Sequence, residues 1–205
     1  MSFDLTKKEA CLLYSLTTPR KIQDFLETVP ANQGHGSDTC RSPREVLRTH
    51  KAHCIEGALL AALALRLHGF PPLIVDMESS INDLDHVIAV YRMQDRWGAI
   101  SKTNHAVLRY RDPVYKTIRE LIMSYFHEYT DDEGRKTLRT FSRPVNLARF
   151  DRLGWATSEK NVWYIPEHLR NIKHTPLCSR SQIALLRRAD PIEQTVGNMQ
   201  QWPSI

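Results

Sequence analysis

No CxxC pair occurs among the four cysteines, Cys11, Cys40, Cys54 and Cys178, so neither a zinc ribbon nor a thioredoxin-type motif is available. Their wide spacing and the reducing compartment expected for the chain argue against a disulfide framework. The opening residues, Met1-Ser2-Phe3-Asp4-Leu5-Thr6-Lys7-Lys8, lack the apolar centre of a signal peptide. No apolar run is long enough to span a bilayer, because the best one ends at Leu65 and has polar flanks. A cytoplasmic protein with no membrane partner is therefore expected. Internal repeats, heptads and low-complexity tracts are missing too. The net charge is +5, but the basic residues are scattered apart from short groups such as Arg187-Arg188. No nucleic-acid signature accompanies them, so a solvated surface is expected rather than a nucleic-acid partner.

What remains is a chain of 205 residues with 41% hydrophobic and 25% charged residues, the profile of a globular protein. A single domain over 1–205 is expected, with a core at about 43–130, helices before it and an extension after it.

The stretch around which the rest is organised is His53-Cys54-Ile55-Glu56-Gly57-Ala58-Leu59-Leu60-Ala61-Ala62-Leu63-Ala64-Leu65. Nothing from Ala58 to Leu65 breaks a helix, and the run is apolar all round, as in a helix at a domain centre. Gly69 and Phe70-Pro71-Pro72 stop it. Cys54 thus stands near the helix N-terminus, where free N–H groups and the helix dipole favour thiolate over thiol.

Other signals flank this helix. Residues 6–16 read as a helix, and Thr18-Pro19 caps another with Ile22, Phe25, Leu26 and Val29 on one side. Ser42-Pro43-Arg44-Glu45 is a capping box before a short helix. Downstream, Leu73–Met77, His86–Tyr91 and Trp97–Ser101 read as strands, the last two forming an antiparallel hairpin. Asp112-Pro113 predicts a helix with Val114, Ile118, Leu121, Ile122 and Tyr125 facing inward. Val162–Ile165 reads as a strand, and residues 181–188 as a short helix. Trp155, Trp163 and Tyr164 are assigned to packing.

A helix headed by a cysteine, then a strand headed by a histidine, is a layout with chemical logic. An imidazole takes the thiol proton and pairs with the thiolate, and a third group fixes the ring. His86 begins its strand and Ser101 ends the next, so a hairpin places both at one end.

Cys54 to Leu63 with Gly69-Phe70-Pro71-Pro72 resembles the cysteine helix of the transglutaminase-like superfamily. Asp85-His86-Val87-Ile88-Ala89-Val90-Tyr91 resembles its histidine strand, and Trp97–Ser101 the following strand, over Pro43 to Ser101 in all. The resemblance implies an α+β fold with a papain/transglutaminase-like core, its cysteine helix packed on a small antiparallel sheet with extra helices around it. It also implies acyl transfer or hydrolysis at an amide or peptide bond. Cys54 would be the nucleophile and His86 the general base and acid, acting on a peptide, protein or small amide. No cofactor or metal is implied. The aspartate's place falls on Ser101, which carries no charge. Asn104, whose amide oxygen is a fixed acceptor, is the favoured stand-in beside it. Under that reading Ser101→Asp would restore a charged partner and raise reactivity, unless Asp85 or Asp112 already fills the role.

Other readings attach to the same residues. His50, His53 and Cys54 have the proximity of metal ligands but lack distant partners. Asp83 and Asp85 read as paired acids or as a solvated loop, and His86 as a core histidine. The alternative to the enzyme is a binding or scaffolding protein on the same fold with an incomplete triad.

Overall fold

The computed structural model describes residues 3–32, 39–80 and 83–202. Four helices come first: α1 (Lys7–Ser15), α2 (Pro19–Glu27), α3 (Pro43–Thr49) and α4 (Cys54–Leu67). Each of the first three starts where a hydroxyl accepts a backbone N–H: Thr6 from Glu9, Thr18 from Lys21 and Ser42 from Glu45. At α3 only half of the expected capping box forms, because the Glu45 carboxylate turns to Arg48 at 2.6 Å.

Strands β1 (Leu73–Glu78), β2 (His86–Met93), β3 (Arg96–Ile100) and β4 (Arg111–Tyr115) follow. After them come α5 (Ile118–Met123), β5 (Thr140–Ser142), β6 (Val145–Asn146), a 3-10 helix (Leu147–Leu153) and α6 (Tyr164–Asn171). The described chain closes with β7 (His174–Pro176), α7 (Arg180–Ile183) and α8 (Pro191–Asn198). The fold is α+β around one small antiparallel sheet in the order β4-β3-β2-β1-β5-β7, with β6 also on β1. The sheet therefore reaches well past residue 130, since β5, β6 and β7 belong to it.

The hairpin is closed by Gln94 and Asp95, both with left-handed φ (46° and 60°). Two such residues match the right-handed twist of the flanking strands. The sheet lies between two layers. On one face Ile74, Val87, Ala89, Tyr91 and Ile100 pack with the apolar residues of α1 to α4. On the other, Val75, Met77, Ile88, Val90 and Ala99 pack with Leu121, Ile122, Tyr125 and Phe126. Residues 55–65 of α4 are all buried, as an all-round apolar helix requires.

Three expectations are corrected. Asp112-Pro113 does not open a helix. Both lie in β4, at the sheet edge, where a residue without an N–H is tolerated. Val114 consequently faces solvent, and α5 starts only after Thr117, whose hydroxyl accepts from Glu120 N. Val162–Ile165 is not a strand but the entry to α6, and Pro166 fits because the first turn of a helix needs no N–H there. The predicted helix over 181–188 ends early, at Ile183.

Candidate active site

Cys54 is the first residue of α4, and His86 the first of β2. Their side chains act on one another: the imidazoles of His86 and of His53 both favour the thiolate form of Cys54. The pairing follows from topology, because α4 packs along β2 and brings its N-terminus to the strand's starting end.

The far side of His86 is occupied by Ser101, with Nε2 2.8 Å from Oγ. The direction of this bond can be read from the next one. The Ser101 hydroxyl donates its single proton to the Leu108 carbonyl at 2.5 Å. Ser101 therefore accepts from His86 Nε2–H, which leaves Nδ1 as the basic nitrogen for the sulfur. The serine is itself fixed: Gln23 accepts from Ser101 N and donates to Ser101 O, both at 2.9 Å.

Asn104, the favoured third member, is elsewhere. Its amide Nδ2 donates to Trp202 O and its Oδ1 accepts from Trp202 N, both at 2.9 Å. The side chain is spent on pinning the 199–202 segment, so Ser101 and not Asn104 contacts His86. Asp85 and Asp112 do not contact it either. Asp85 accepts from Ser79 N at 2.9 Å, and Asp112 points outward from the edge strand.

Gly57 explains how the end of β3 comes so close to α4. A Cβ there would lie 2.3 Å from Lys102 Cβ. Lys102 cannot swing aside easily, because its buried ammonium donates to Val29 O at 2.6 Å. Burial pulls this lysine down to about 8, against the opposing pull of Glu27.

Sequence reasoning passed over Glu56 and gave His53 only a metal-ligand reading. Glu56 is completely buried in the first turn of α4. Thr39 Oγ1 (2.7 Å), Arg41 N (2.9 Å), His53 N (3.1 Å) and Asn32 Nδ2 (3.3 Å) donate to its two oxygens. His53 Nε2 stands 2.8 Å from Thr39 O and 3.4 Å from Glu56 Oε1. The signal was an acid at the third helical position of an otherwise apolar run, in the spacing of a reciprocal cap. His50 is not with them: it caps α3 with φ 50° and lies edge-on to Phe25. The metal reading of His50, His53 and Cys54 therefore has no common centre.

The electrostatics follow the contacts. Burial opposes ionisation of Cys54, but the hydrogen bonds and charges of His53 and His86 hold its thiol well below the ordinary value. For His53 burial acts downward, while Cys54 and then Glu56 raise it to about 9. Cys40, buried nearby, is pushed up to about 12 by burial and by the charges of Glu56 and Cys54.

Cys54 and His86 line a cavity of about 510 Å³. Lys102, Tyr129, Glu128 and Asp132 line it as well, and Gly197, Asn198 and Gln200 supply part of one wall. Away from the cavity, Asp76, Glu78 and His174 form the only cluster with metal-ligand proximity among the described residues. The His174 ring sits between the two carboxylates, with Nε2 3.2 Å from Asp76 and Nδ1 3.6 Å from Glu78. Nδ1 also lies 3.0 Å from Ile172 O, so both nitrogens face acceptors within the protein. Among the described residues no helix is long and apolar enough to cross a membrane.

No protein-family model matches the chain, and no curated protein matches it.

Proposed function

We propose that the chain is a cysteine-dependent enzyme with a transglutaminase-like core, which transfers or hydrolyses the acyl group of an amide or peptide bond through a thioester on Cys54. The observation that carries this is Cys54 and His86 at the wall of one cavity, with His86 favouring the thiolate and hydrogen-bonded in turn to Ser101, which bonds to Leu108 O. The Cys54 thiolate attacks the carbonyl carbon. The C–N bond breaks, and the leaving amine takes the proton from His86 Nδ1. His86 then takes a proton from water or from an acceptor amine, which attacks the thioester and restores the thiolate. The positive end of α4 favours the negative charge at each stage. Acids in the cavity lining, including Asp83, Asp85 and Asp132, favour a cationic acceptor such as a primary ammonium over a carboxylate-bearing one.

A second reading, a binding protein on the same fold, is favoured by one observation: Ser101 carries no charge to stabilise imidazolium. Incubation with glutamine-containing peptides and small amides, with and without a primary amine, separates the two. Acyl transfer is expected to leave a thioester mass on Cys54 and to be lost in Cys54→Ser. An unmodified Cys54, no more reactive toward thiol electrophiles than Cys11 and Cys178, overturns the enzyme reading.

A further inference from the structure

Two imidazoles act on the sulfur where acyl transfer needs one to move the proton, and their surroundings differ. His86 is backed by a neutral hydroxyl that itself leans on a carbonyl. His53 is backed by a buried carboxylate whose two oxygens are fed by four other donors. Such a set of donors satisfies a buried charge that would otherwise be costly. Nε2 of His53 is turned to two acceptors, Thr39 O at 2.8 Å and the Glu56 carboxylate at 3.4 Å, so that nitrogen is held as a proton donor beside a buried anion.

We propose that His53, anchored by Glu56, is the fixed cation of the site: it holds Cys54 as thiolate and keeps its own protons, while His86 alone moves a proton. The negative charge missing from position 101 is then present on α4. It acts on the sulfur side of the pair, through His53, rather than on the imidazole side. His86 Nδ1 is the nitrogen that takes the thiol proton and returns it. His53 keeps its protons throughout. The other groups facing the sulfur do not compete for the role. Cys40, from the loop before α3, is held as a thiol by burial, and Tyr129, after α5, is held as a phenol by burial. The inference rests on Cys54 as the nucleophile, yet it concerns the resting charge state and needs no substrate.

The test is the pH profile of Cys54 alkylation by iodoacetamide, read on the Cys54 peptide by mass spectrometry. His53→Gln is expected to move the midpoint up by about one pH unit, a tenfold loss of thiolate below the midpoint. Glu56→Gln should move it the same way and less. An unchanged midpoint in His53→Gln overturns the proposal. A second measurement avoids disturbing the helix head. Imidazole NMR of the unsubstituted protein should show His53 charged above the ordinary histidine range, falling back in Cys54→Ser. A His53 that titrates in the ordinary range in both proteins overturns it. A low midpoint without acyl transfer on any amide removes the enzyme reading and leaves the thiolate–His53 pair standing.

Discussion

The two sides of the Cys54 sulfur solve one electrostatic problem in opposite ways. On the sheet side, His86 is positioned by β2 and its tautomer is set by neutral groups, Ser101 and the Leu108 carbonyl. On the helix side, His53 is adjacent in sequence to the cysteine and is backed by a fully buried carboxylate. Neutral backing leaves a ring free to change charge, and ionic backing opposes change. The lesson is that a nucleophile's partner can be orienting or charging, and the two duties need not fall on one residue.

Substitutions break this comparison to different extents. His86→Asn removes the mobile proton site and should cost the most, about 10²- to 10⁴-fold in acyl transfer, the usual worth of a general base. His53→Gln should cost less, and its loss should shrink as pH rises, because hydroxide then supplies the thiolate. The ratio of the two rates across pH checks the division of duties. Gly57→Ala drives a methyl group into Lys102 and should destabilise the fold by about 1–3 kcal/mol, read from denaturant midpoints. An unaltered midpoint would mean that β3 and α4 can separate without cost.

Ser101→Asp sharpens the contrast. From sequence it is expected to help, but the Leu108 carbonyl points at this oxygen and a carboxylate has no proton to give it. Alkylation of Cys54 should therefore not rise, and stability should fall by about 1–3 kcal/mol, the cost of a buried acceptor left without a donor. Asn104→Ala should have the smallest effect at the sulfur. It removes two hydrogen bonds to Trp202, about 1 kcal/mol each. Limited proteolysis within 197–202 should quicken while the pH midpoint of Cys54 stays in place.

The pH dependence of folding carries a further mark of the helix side. His53 is raised in the folded state, so its contribution is complete below the unfolded histidine value and is lost as pH rises through about 9. Thermal unfolding at rising pH should show this loss in the parent and not in His53→Gln.

Much of this arrangement was legible in the residues. The all-round apolar run gave α4, the hydroxyl–proline pairs gave the starts of α2 and α3, and two β-rich runs across a short polar stretch gave the hairpin that carries His86 and Ser101 to one end. Less legible was anything whose meaning depends on distant partners. Asp112-Pro113 has the local form of a helix start but is claimed by pairing to β3. Strands of two or three residues, such as β5 and β7, show no period at all. Asn104 and Ser101 differ in role only through what stands opposite them, Trp202 in one case and His86 in the other.

The Asn104 clasp has a consequence for the order in which the site is made. Its partner Trp202 lies 98 residues later in the chain, and the segment it holds walls the cavity. During synthesis, domains assemble as the chain emerges, N-terminal parts first. Cys54, His86 and Ser101 therefore leave the ribosome well before the wall does. Cys54 thus emerges into an open trough, whose wall is completed only once Gly197, Asn198 and Gln200 have docked.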